Sequence, residues 1–181
     1  MSQNFSDQQS PSALETRVLE KSDYPEIMKI QEEAQKEAPQ DWFVISNESE
    51  LDTCIERRSS FGMYDQGKLV GVCAAYAVSE GAFTHSEISH NKINEGEACS
   101  EFFYCVAPAY RKKGVAKALL EKSLKHEKEL GTRHVVASVH PKNQASIKIL
   151  SNYGFMAQHM GELYGGKSRL LASLDLTKLE A

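Results

Sequence analysis

The chain has 181 residues, the length of one domain, enough to bury ~70% of the surface its unfolded form exposes. Its 41% hydrophobic and 25% charged residues are those of a soluble globular protein, and a net charge of −4 disfavours a nucleic-acid binder, which carries a basic excess. No apolar run approaches the ~18 residues of a membrane helix, so no membrane partner is expected.

The opening "MSQNFSDQQSPSALE" has neither a basic start nor an apolar core, which argues against a secretory leader, and residues 1–14 read as a disordered polar tail. Cys54, Cys73, Cys99 and Cys105 form no CxxC pair, and three of them lie in or beside apolar runs. Reduced, mostly buried thiols in a cytoplasmic protein are expected, with neither disulfide nor zinc.

In chain order, "ETRVLE" (15–20) predicts a first strand. Ser22 or Asp23 caps the helix that follows, with Pro25 in its first turn and Ile27, Ile30 and Ala34 on one stripe. After the irregular "APQDWFVIS", Asn47 or Ser49 caps a second helix that packs through Leu51, Cys54 and Ile55. Residues 61–78 read as a hairpin turning at Asp65-Gln66-Gly67. The polar stretch 80–98 has no clear period and reads as a long functional loop. "CSEFFYCVAP" (99–108) is an aromatic-rich strand.

A helix follows from about Gly114 to a stop at Gly131, its apolar stripe Ala116, Leu119, Leu120 and Leu124. "HVVASV" (134–139) predicts a strand covered on both faces. Asn143 caps a short helix with Ala145, Ile149, Leu150 and Tyr153 inward, ending at Gly154. Two closing strands flank the turn "YGGK". The order β-α-α-β-β-β-α-β-α-β-β gives an α/β mixed sheet with about four helices against it, in a single domain over residues 15–181.

Arg111, Lys112 and Lys113 crowd the N-terminal end of the long helix, where the helix dipole repels cations by a few tenths of a kcal/mol to ~1 kcal/mol each. The nearest following carboxylate is Glu121. A bound polyanion reverses the sign of that repulsion. First-turn amides point out of the helix end and bind phosphate oxygens, and Gly114 permits close approach.

This strand, turn and helix, with the pattern Arg-x-x-Gly-x-Ala, resembles the pyrophosphate loop of the GNAT superfamily of N-acetyltransferases. "CVAPAYRKKGVAKALL" resembles the family's strand four, loop and helix three. "SVHPKNQASIKILSNYGF" resembles its strand five, Asn and following helix. The likeness spans roughly residues 16–177, with sharp motifs only in 101–155.

The resemblance implies a central, mostly antiparallel sheet splayed between strands four and five. It implies acetyl-CoA as co-substrate, with no metal. The cofactor arm would lie along Cys105, Val106 and Ala107, the pyrophosphate would sit on Arg111, Lys112, Lys113, Gly114, Val115 and Ala116, and Asn143 and Ser146 would contact the arm. The implied reaction is direct attack of a neutral amine on the thioester, which needs a proton acceptor because a free alkylammonium has a pKa near ~10. Glu101 is the candidate base, with Glu97 and Glu95 as substitutes.

Many family members place a general-acid Tyr seven residues after the Asn; here that position is Leu150. Tyr164 and Tyr153 are the alternative acids. Trp42 and Phe43 either line the acceptor pocket or belong to the core. Lys167 and Arg169 either attract an acidic substrate or are solvated. His85 and His90 are too isolated for a metal site. The expected acceptor is a small-molecule amine or amino acid. The alternatives are a protein or peptide amine, or an acyl-CoA-binding module without turnover. The last strands offer an edge that can pair in a homodimer.

Overall fold

The structure, a computed structural model, describes residues 14–77 and 99–179. The polar tail, the 80–98 loop, His85, His90, Glu95 and Glu97 lie outside the described residues, as does the side chain of Glu101.

One seven-stranded sheet organises the chain: β1 (Glu15–Val18), β2 (Ser60–Asp65), β3 (Lys68–Ala77), β4 (Cys99–Val106), β5 (His134–Val139), β6 (Met156–Leu163) and β7 (Lys167–Asp175). Its order is β1-β2-β3-β4-β5-β7-β6, antiparallel throughout except for the parallel β4–β5 pair. Among the described residues the helices are α1 (Tyr24–Glu37), α2 (Glu48–Glu56), α3 (Val115–Glu129) and α4 (Gln144–Asn152). Among the described residues the element order is the one the sequence predicts.

Local chemistry explains the boundaries. Asn47 starts α2 by a reciprocal cap: its side chain accepts from Glu50 N–H (3.0 Å), and the Glu50 carboxylate accepts from Asn47 N–H (2.8 Å). The two-residue turn Gln66-Gly67 has both residues in the left-handed region, the type I′ geometry that matches strand twist.

The sheet is covered on both faces. On one, Ile27, Ile30 and Ala34 of α1 and Leu51 of α2 pack on Leu69, Val72 and Cys105. On the other, Val115 and Leu119 of α3 pack on Phe61, Met63 and Cys73, while Leu120, Leu124 and Leu150 pack on β5 and β7. A Cβ at Gly71 would lie 2.6 Å from Val115 Cγ1, so α3 begins in close contact with β3. This fixes where the 111–114 turn sits relative to the end of β4.

Two inward positions differ from the expected stripes. Val115, not Ala116, is the buried residue at the start of α3. In α4, Ala145 is exposed and Ile147 packs with Leu150 against the core. In both cases the helix is rotated so that the larger apolar side chain is buried, which gains more from leaving water. The thiols of Cys54, Cys73 and Cys105 are free and buried, and burial pushes each up to about 12.

Candidate active site

β4 and β5 pair at three positions: Cys99 with His134, Ser100 with Val135 and Glu101 with Val136. Beyond Val136, β5 stays paired with β7 as far as Val139, while β4 stays paired with β3 as far as Val106. The two strands therefore part after Glu101, and a wedge opens between Phe102–Val106 and Ala137–Val139. The backbone of Glu101 stands at its vertex.

Strand alternation decides which backbone groups face the wedge. Ala107 N–H donates to Val70 O at 2.9 Å, on the β3 side. Cys105 and Phe103 share that side, two and four residues back, so the amides and carbonyls of Tyr104 and Val106 point into the wedge. Of the three backbone positions expected to meet a cofactor arm, Val106 faces the opening. Cys105 and Ala107 are turned to β3, and Tyr104 takes the place expected for them.

At the wide end, Pro108 to Tyr110 form a short 3-10 turn, and Gly114 caps α3 in the left-handed region (φ 83°) with no side-chain cap. The first helical bond runs from Ala118 N–H to Gly114 O (3.0 Å), so the amides of Val115, Ala116 and Lys117 have no acceptor within the helix. The cations are less isolated than the local sequence implies. Arg111 Nη1 meets Glu37 Oε2 of α1 at 2.9 Å, and Lys113 Nζ lies 4.9 Å from the ring centre of Tyr110. The Arg111–Glu37 pair is exposed and worth at most ~1 kcal/mol, which leaves most of the basic field at the helix end.

A cavity runs through the wedge and is lined from both faces of the sheet. On the α3/α4 face lie Tyr104, Asn143, Ser146 and Leu150. Asn143 caps α4 by accepting from Ser146 N–H at 3.2 Å. Burial pushes Tyr104 up to about 12, with Ser146 beside it acting in the opposite direction. Leu150 is 3% exposed, so the position where a Tyr was sought is an apolar wall.

On the opposite face, Ser138 Oγ and Tyr164 Oη lie 2.9 Å apart. Tyr164 is held in the left-handed region (φ 50°) at the β6–β7 turn, a conformation costly for a bulky residue and commonest at functional sites. Arg169 of β7 is 2% exposed; its Nη2 donates to Asp41 O (2.8 Å) and its Nη1 to Ser168 O (2.7 Å). Burial draws this guanidinium below its usual value. Trp42 stacks on His140 (5.2 Å between centres), and Phe43 meets Phe103 edge-on. Trp42 and Phe43 both line the cavity.

Of the two candidate acids, Tyr164 lines the cavity. Tyr153 does not: its hydroxyl donates to Glu121 Oε1 of α3 at 2.7 Å. Lys167 is engaged by Asp41 Oδ1 at 2.9 Å, and Arg169 is buried, so neither is a freely solvated cation. Sequence reasoning missed Tyr104 and Ser138, and left Arg169 open between attracting an acidic substrate and being solvated. Only the two-residue alternation from Val106 could have flagged Tyr104; nothing local marks Ser138. Among the described residues no group of three or more His, Cys, Asp or Glu could hold a metal ion, and no helix is long and apolar enough to cross a membrane.

Solved structures share this fold. YncA from Salmonella typhimurium, solved with acetyl-CoA, matches with a TM-score of 0.70 at 19% identity, over 94% of this chain and 98% of its own. The ribosomal-protein-S18-alanine N-acetyltransferase of Escherichia coli matches at 0.68 and 18% identity, over 93% and 97%. An N-acetyltransferase from Staphylococcus aureus Mu50 matches at 0.64 and 20% identity, over 91% and 99%. No individually curated relative shows significant sequence similarity. The profile of the acetyltransferase (GNAT) family matches residues 23–155, most of the chain and all of the wedge, loop and cap just described, and the chain belongs to that family.

Proposed function

We propose that the protein is an acetyl-CoA-dependent N-acetyltransferase acting on a small amine. The observation that carries this is the wedge, whose unpaired Tyr104 and Val106 backbone groups lead to an uncapped helix end ringed by Arg111, Lys112 and Lys113. An extended amide-bearing arm satisfies those strand groups, which would otherwise lose their hydrogen bonds on burial. A pyrophosphate satisfies the amides of Val115 and Ala116. Asn143, with its oxygen used by the cap, keeps its NH2 for the arm, and Ser146 stands beside it.

The amine attacks the thioester carbonyl and must lose a proton. Glu101, at the vertex, is the assigned base. Val106 N–H is the donor for the developing oxyanion. Tyr164, rather than Tyr153, is the assigned acid for the departing thiolate, with Ser138 fixing its hydroxyl. The enclosure of the far face by Trp42, Phe43 and Arg169 supports a small acceptor over a protein or peptide amine. The buried free thiols support a reducing, cytoplasmic setting.

The test is release of CoA thiol from acetyl-CoA against amino acids, polyamines, aminoglycosides, N-terminal peptides and lysine peptides. Turnover with a small amine is expected. Glu101→Gln should lower kcat by ~10²-fold or more, as loss of a general base does, with the deficit shrinking at high pH. Acetyl-CoA binding without turnover on any amine would favour a binding module instead.

A further inference from the structure

On the proposed reading of this site, we infer that the acceptor is an amine that also carries a carboxylate or similar oxyanion, and that Arg169 is the residue that selects it. Along β7, Leu170, Ala172 and Leu174 pack against the α3/α4 core, so alternation places Arg169 on the opposite face with Leu171. Leu171 is the register partner of Ser138, whose hydroxyl meets Tyr164. Arg169 thus stands two strand residues, about 7 Å, from the Ser138–Tyr164 pair, on the same face of the sheet.

The electrostatics of Arg169 are incomplete without a ligand. A cation this deeply buried is normally paired with a carboxylate. Arg169 instead has two backbone carbonyls as acceptors, from Asp41 and Ser168, and the Tyr164 ring 5.5 Å from its carbon. The neighbouring Asp41 carboxylate is engaged by Lys167. Among the described residues no carboxylate lies within 4.0 Å of the guanidinium. The two carbonyls use two of its five donors and fix the plane of the fork, and a bidentate oxyanion is the partner that such a fork fits.

His140, at the same end, is lowered first by burial and then by Arg169 and Lys142, with Asp41 acting in the opposite direction. An amine lacking an oxyanion would leave Arg169 unneutralised and would itself be repelled until deprotonated. An amino-acid-like acceptor neutralises the guanidinium and holds its amine at a fixed reach from it.

The experiment compares kcat/KM for a series of amino acids with their carboxamides, in wild type, Arg169→Gln and Arg169→Lys, with acetyl-CoA affinity measured by calorimetry on each sample. Wild type is expected to prefer the carboxylates by at least tenfold. Arg169→Gln should bring that ratio close to one, chiefly through KM for the carboxylate, and Arg169→Lys should retain part of it. Equal losses on both substrates, with the ratio preserved, would make Arg169 a clamp for the 41–43 segment and overturn the inference. Turnover with uncharged amines preferred would overturn it while leaving the acetyltransferase reading intact. Tight acetyl-CoA binding with no acceptor used would overturn both.

Discussion

Gly114 offers a way to separate the backbone from the charge at the phosphate end. A Cβ built there meets nothing within 4 Å, so Ala and Glu are both sterically free. Both must adopt φ near 83°, at a shared cost of ~1–2 kcal/mol. For a chain of this size, each kcal/mol lowers Tm by ~2–4 °C, so Gly114→Ala should melt a few degrees below wild type. Gly114→Glu carries the same backbone cost but adds a carboxylate at a helix N-terminus, which returns ~0.3–1 kcal/mol. Without ligand it should therefore melt at or above Gly114→Ala. With CoA the order reverses. A carboxylate ~6 Å from a doubly charged pyrophosphate is repelled by ~1.4 kcal/mol at the dielectric of water and ~5.5 kcal/mol at an effective dielectric of ~20, so affinity should fall at least tenfold, more steeply at low salt. Thermal melts of the free proteins and calorimetric titration with CoA read the two effects separately. Equal CoA affinity for the two variants at low salt would refute the helix-end phosphate site.

Two further predictions concern stability. Asp23 is buried; burial alone would raise its carboxyl, but the Arg17 guanidinium and the Glu20 amide hold it below the usual range. Its contribution is therefore present above ~4 and is lost as pH falls toward the depressed value, so acid should destabilise wild type more steeply than Asp23→Asn in urea melts between pH 5 and 2. Glu127 is 0% exposed and is held by Arg57 (3.1 Å) and Thr132 Oγ1 (2.6 Å), tying α3 to the end of α2. Arg57→Ala takes the cation from the fully buried Glu127 carboxylate and should cost ~3–5 kcal/mol in a urea melt, with Arg57→Ala/Glu127→Ala losing less than the sum of the single changes.

What was legible in the sequence was local. Asn47 and Asn143 announce helix starts because their short side chains reach a backbone N–H three residues on, and the Gln66-Gly67 turn follows from two strand-like runs with no room for a longer loop. The 111–114 turn stands out as a candidate anion site because its charge contradicts the helix dipole. Long-range closure was not readable. Glu37 reaches Arg111 across 74 residues, and Asp41 meets Arg169 across 128. Ser138 and Tyr164 come together only because β7 inserts between β5 and β6. The inward positions of α3 and α4 were misjudged by one or two residues, since Ala116 and Ala145 fit a helical stripe as well as Val115 and Ile147 do. Packing chose the larger side chains.

The wedge also creates two strand edges in the middle of a sheet, which is the arrangement that invites foreign chains to add on and aggregate. Here the edges cannot be capped by charged residues without spoiling a ligand channel, so they are guarded by what stands over them. The 41–46 segment, pinned by Trp42 on His140 and by Asp41 on Lys167 and Arg169, stands on one side, and α4 stands on the other. Loosening those pins would not merely enlarge a pocket. It would expose an unprotected template for intermolecular β-pairing, so the same contacts that shape the site also cover those two strand edges.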